Sequence, residues 1–111
     1  MSMDLKLYPC YEPSDGDTAY SVLFVERDTN MLLNVLKKAQ NIGTEGEIIG
    51  YTSKGLETIK TDNYKKPLKW LSAYHLWFTM SAYQNGMIDN KGVIEYLKAI
   101  NPKTRIYLLW T

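Results

Sequence analysis

The chain has 111 residues, of which 45% are hydrophobic and 23% charged, a length and balance that fit one folded domain over residues 1–111 and exclude a disordered chain. Thirteen basic against twelve acidic residues leave a net charge of +1, too little to draw nucleic acid or an acidic membrane from a distance. Cys10 is the single cysteine, which excludes an intramolecular disulfide and a cysteine-based zinc site and makes a reducing cytoplasm the expected location.

The first strand is expected over "MDLKLY", residues 3–8, where Leu5 and Leu7 alternate with Lys6 and Tyr8 as a half-buried strand requires. Pro9, Pro13 and "SDGDT" (residues 14–18) then break regular structure, and "AYSVLFVE", residues 19–26, predicts a second, more deeply buried strand. Asp28 or Thr29 can accept the first free N–H groups of a helix whose apolar stripe is Met31, Leu32, Val35, Leu36, Ala39 and Ile42. Gly43 suits the left-handed residue that closes such a helix. Residues 46–61 predict a hairpin turning at Ser53, Lys54 and Gly55, with Gly55 at positive φ. Pro67 is placed to open a second helix, which Asn85-Gly86 ends. Asp89 or Asn90 starts a third, Asn101-Pro102 stops it, and "RIYLLW" supplies a last strand. The order β-β-α-β-β-α-α-β implies a single α+β domain, with a mainly antiparallel or mixed sheet of about five strands and three helices packed on it.

The second helix is the unusual one. From Trp70 to Ile88 no Asp, Glu, Lys or Arg occurs, yet Ser72, His75, Thr79, Ser81, Gln84 and Asn85 interrupt the run and make it a poor membrane span. On a helical wheel of residues 68–84, Met80, Ala73, Trp77, Trp70, Tyr74, Phe78, Leu71 and Ala82 sweep an arc of roughly 200°, with His75, Thr79 and Ser72 in the narrow polar sector. One contact with a sheet consumes about 100°. The helix must therefore touch something on two sides: the sheet and a second helix, or the sheet and a partner. Trp70, Tyr74, Trp77 and Phe78 are the candidate interaction residues, and self-association is the simplest use of them.

Chemistry-bearing patterns are sparse. His75 and Cys10 would have to meet in space to form a nucleophilic pair, and nothing in their spacing suggests it. Glu26 and Asp28 form an E-x-D pattern that could serve a metal-dependent nuclease or phosphatase, although Asp28 is explained as a helix cap. Glu12, Asp15 and Asp17 lack calcium-loop spacing, and the glycines of "GTEGEIIG" lack the Lys-Ser/Thr of a phosphate loop. No metal site, cofactor or catalytic constellation is expected. "YKKPLKW" sets Lys65, Lys66 and Lys69 beside Tyr64 and Trp70, the best local case for single-strand nucleic-acid binding.

The sequence thus points to a small cytoplasmic non-enzymatic protein that acts by binding a macromolecular partner, as an accessory or inhibitory factor, and self-associates through its aromatic helix. Lysine outnumbers arginine eleven to two and Asn, Ile and Tyr are plentiful, the coding bias of an AT-rich genome, bacterial or phage; with the small size it suggests a phage or mobile-element factor. The alternatives are the carboxylate nuclease or phosphatase and the Lys65–Trp70 nucleic-acid binder.

Overall fold

A computed structural model describes residues 3–10, 22–82 and 90–111. The fold is α+β; the described residues form three helices, a five-stranded antiparallel sheet and a separate two-stranded hairpin. In chain order the elements are β1 (Leu5–Cys10), β2 (Leu23–Phe24), α1 (Thr29–Ile42), β3 (Thr44–Glu45), β4 (Ile48–Thr52), β5 (Gly55–Ile59), β6 (Lys69–Ser72), α2 (Ala73–Ala82), α3 (Lys91–Ala99) and β7 (Arg105–Trp110). The large sheet runs β2-β1-β7-β6-β3, and β4 pairs with β5 in a sheet of their own among the described residues.

The C-terminal strand is the centre of the sheet, with β1 on one side and β6 on the other. Its alternation sorts the two faces. Ile106, Leu108 and Trp110 join Leu5, Leu7 and Leu71 in the main core beneath the helices, whereas Tyr107 and Leu109 face the other way, with Tyr8, Cys10 and Trp70, against Ile48 and Ile59 of the hairpin. Gly46 makes this second cluster possible, because a Cβ there would come within 2.7 Å of the Tyr107 hydroxyl.

Several expectations meet the structure directly. Asp28 caps α1, its carboxylate accepting the Met31 N–H; of the expected stripe Met31, Leu32, Val35 and Ala39 are buried and Leu36 partly so, whereas Ile42, at the end of the helix, is exposed. The hairpin turns at Ser53 and Lys54, with Gly55 at φ 99°. The second strand is a correction: it is a two-residue edge with Phe24 exposed, and the expected residues 19–21 lie outside the described part. The first strand extends through Pro9 to Cys10, past the last β1–β2 pair at Leu7. A missing N–H there removes no bond to β2. Gly43 is also a correction: it is extended (φ −64°, ψ 141°), and glycine is required instead because a Cβ would meet the Ala39 carbonyl oxygen at 2.4 Å.

The largest correction concerns residues 67–84. Pro67 opens no helix; it bridges Thr61, and the chain continues as strand β6 before α2 begins at Ala73. Pairing with β7 is the reason, since Lys69 to Ser72 align with Leu108 to Arg105 and the central strand would otherwise leave one edge of its backbone groups unpaired. The expected stop at Asn85-Gly86, the start at Asp89 and the acidic turn at residues 12–17 lie outside the described residues. Asn90 stands at the start of α3 without capping it; its side chain bonds the backbone N–H and carbonyl of Glu26 instead.

Candidate functional site

α2 lies between α1 and α3 on the sheet, and its buried stripe is Ala73, Leu76, Thr79 and Met80. That arc is about 120° wide on a helical wheel, enough for one packed face. The polar and apolar sectors are therefore not where the wheel of residues 68–84 put them. Thr79 is buried, its hydroxyl satisfied by the His75 carbonyl at 2.8 Å. Tyr74 and Phe78 face outward, 47% and 56% exposed.

Trp70 is not on this helix at all. It projects from β6 on the sheet face opposite the main core, with the Arg105 guanidinium 4.9 Å from its ring centroid. Trp70 and Tyr74 nevertheless border a common surface groove of about 730 Å³ with Ile42, Ser72, His75 and Lys103. From there the aromatics continue along α2. Tyr74 stacks on Phe78 (centroids 6.0 Å, planes 23° apart) and meets the Trp77 ring edge-on at 5.3 Å. Trp77 is half-buried against the core, under the Lys98 ammonium at 5.1 Å. A smaller groove of about 260 Å³ flanks Phe78 on the α1 side, lined by Asn34, Lys37, Lys38 and Thr79. Tyr74, Trp77 and Phe78 thus form one aromatic run on α2, and Trp70 of β6 shares the groove that borders Tyr74.

The lysine candidates separate from it. Lys69 and Trp70 are consecutive in a strand and project to opposite faces; Lys69 pairs with Leu108 and, with Lys66, borders an apolar cleft of about 420 Å³ beside Leu36 and Trp110. Lys65 has a left-handed backbone (φ 62°), in a tight turn where the Asp62 carboxylate accepts the N–H groups of Tyr64 and Lys66. The run "YKKPLKW" is therefore a turn followed by a strand, and its lysines and Trp70 do not share a surface.

Sequence reasoning missed one polar contact: the Ser72 hydroxyl lies 2.9 Å from His75 Nδ1. The same hydroxyl oxygen accepts the His75 backbone N–H at 3.2 Å, so its proton is free to go to the ring. The spacing Ser-x-x-His was the available signal, since it is that of a capping box with His in place of Glu. A nucleophilic serine would also need donors for an oxyanion, and the first N–H groups of α2 are taken, Ala73 by the Thr104 carbonyl and Tyr74 by that of Pro102. Capping is what this pair does. Cys10 is buried and pairs with Arg105, whose other neighbour is Ser72. Two strand spacings, about 10 Å, thus separate it from the serine that holds His75.

Glu26 is exposed, while Asp28 is buried and engaged in its cap, with Oδ2 unpartnered. Among the described residues no group of three or more His, Cys, Asp or Glu is placed to hold a metal ion, and no helix is long and apolar enough to cross a membrane. The Tyr8 phenol is raised above its usual value of 10.0 by burial. The chain matches no protein-family model, no curated protein and no solved structure.

Proposed function

We propose that the chain is a non-enzymatic binding protein whose contact surface is the strip of Trp70, Tyr74, Trp77 and Phe78, and that it acts on a macromolecular partner in the cytoplasm as an accessory or inhibitory factor. One observation carries this reading. α2 holds two stacked aromatic side chains about half in water while it buries a threonine. Only the enclosed part of each ring contributes to packing of the isolated chain; the exposed part is surface that a partner would cover. Large aromatics at low side-chain entropy are the residues that interfaces favour. The lysine-rich, arginine-poor composition supports a phage or mobile-element origin for such a factor.

The strip also bears on self-association. A second copy meeting it face to face would set Lys37 and Lys38 of both molecules on one rim, and like charges there oppose the contact. The reading therefore favours a different molecule. Site-specific photo-crosslinking tests it: a benzophenone amino acid is carried in place of Tyr74, of Phe78, or of Glu57 on the exposed side of the hairpin as a control. Adducts from 74 and 78 but not from 57 are expected in cells expressing the chain. Their mass and nuclease sensitivity distinguish a dimer, another protein and a nucleic acid. Absence of adducts from both strip positions refutes the proposal.

A further inference from the structure

We infer that the partner of this strip is a single-stranded nucleic acid, lying along the α1–α2 groove with bases against Tyr74 and Phe78; the inference rests on the binding role proposed above. Its ground is the segregation of charge. The chain as a whole is nearly neutral, yet neither α1 nor α2 contains a single Asp or Glu. Lys37 and Lys38 border Phe78 on one side, Lys103 borders Tyr74 and Trp70 on the other, and Lys98 covers Trp77. Among the described residues no carboxylate lines either groove. Of the described acids, Glu95 lies one turn before Lys98, and Glu45 and Glu47 share the recess beyond Trp70 with Arg105. Arg105 is therefore left out of the phosphate count, which stands at three to four lysines.

The remaining groove atoms fit the same ligand. Asn34, Asn41 and Thr44 supply neutral donors to phosphate or base edges. Tyr74 and Phe78 are one helical turn apart, about 6 Å along the axis, and present exposed ring surface between the two cationic grooves, the combination by which single strands are held without sequence preference. An apolar protein partner fits less well. The two rings expose about half of the 150–250 Å² that a large aromatic side chain can bury, roughly 200 Å² together, against about 800 Å² per partner in a stable protein interface. Phosphate contacts must make up the difference.

The probe is a fluorescein-labelled oligothymidylate of about fifteen nucleotides, titrated with the full chain and read by fluorescence anisotropy. Saturable micromolar binding is expected at 50 mM salt. It should weaken by about 20- to 50-fold at 200 mM, from a slope of about 0.7 per phosphate over three to four contacts. Phe78→Ala should weaken it by about five-fold or more, and Phe78→Tyr should restore it. Lys37→Gln with Lys38→Gln should lower the salt slope by about 1.4, while Lys65→Gln with Lys66→Gln leaves it unchanged. Urea midpoints of the variants confirm that each is folded. No saturable binding at 50 mM salt overturns the inference, as does binding indifferent to Phe78→Ala. Polyglutamate displacing the oligonucleotide at equal charge concentration overturns it in favour of an acidic protein. If photo-crosslinks from positions 74 and 78 persist while the oligonucleotide fails, the nucleic-acid inference falls and the binding role stands.

Discussion

Phe78→Ala, set beside Leu76→Ala, asks whether the aromatics of α2 are surface or core. Phe78 is 56% exposed and Leu76 fully buried, two residues apart on one helix. A large aromatic side chain buries about 150–250 Å² when enclosed, so roughly 70–110 Å² of Phe78 leaves water on folding, worth about 2–3 kcal/mol at about 25 cal/mol per Å². Alanine's better helix propensity returns about half a kcal/mol, and a compact unfolded chain lowers the area term further. The expected net cost is about 1–2 kcal/mol. Leu76→Ala instead opens a cavity between α2 and the sheet, and should cost about 2–5 kcal/mol. Urea unfolding followed by far-ultraviolet circular dichroism gives both values from the midpoints, provided the slopes stay equal. A loss of 3 kcal/mol or more for Phe78→Ala, matching that of Leu76→Ala, would mean the ring is core, and the strip would not exist as a contact surface.

The other expectations concern elements that frame the strip. Asp28→Ala should cost about 1 kcal/mol through the lost cap of α1, whereas Asp28→Asn keeps an acceptor for the Met31 N–H and should stay within about 0.5 kcal/mol; thermal melts giving the reverse order would contradict the capping account. Gly43→Ala should destabilise by about 1 kcal/mol or more, because its Cβ collides with the Ala39 backbone. Gly55→Ala meets no atom and should lose about 1 kcal/mol through its positive φ alone. A neutral Gly43→Ala would refute the close approach. Because burial raises the Tyr8 phenol in the folded chain, the folded state holds that proton more tightly than the unfolded one. The associated stability is fully present below about pH 10 and is lost as pH rises through the folded-state value. Melting temperature against pH should fall less steeply in the alkaline range for Tyr8→Phe, and an unchanged slope would assign the alkaline loss to other groups.

The sequence by itself determined those features whose physics is local. Asp28 caps because a carboxylate lies within reach of an N–H three residues on, Gly55 turns the hairpin because without a Cβ it takes positive φ at no steric cost, and the stripe on α1 follows from the 3.6-residue period. "RIYLLW" reads as a strand because it is a short apolar run with β-branched and aromatic residues that follows the Asn101-Pro102 stop. The aromatics of α2 were also legible as a surplus over what one buried face consumes, since Tyr74 and Phe78 do remain outside.

What only the tertiary structure decided was which residues form that surplus surface and what surrounds it. Residues 68 to 84 fit a helix throughout on period alone; Lys69 to Ser72 become a strand because β7, more than thirty residues later, presents unpaired backbone groups beside them. That pairing turns Trp70 and Lys69 to opposite faces and dissolves the lysine–tryptophan cluster that adjacency suggested. In its place the fold sets Lys37 and Lys38 beside Phe78, Lys98 over Trp77 and Lys103 in the groove of Tyr74, drawn from α1, α3 and the segment before β7. No sequence window contains them together, because side chains distant in the chain acquire a common field only once packing fixes their separations.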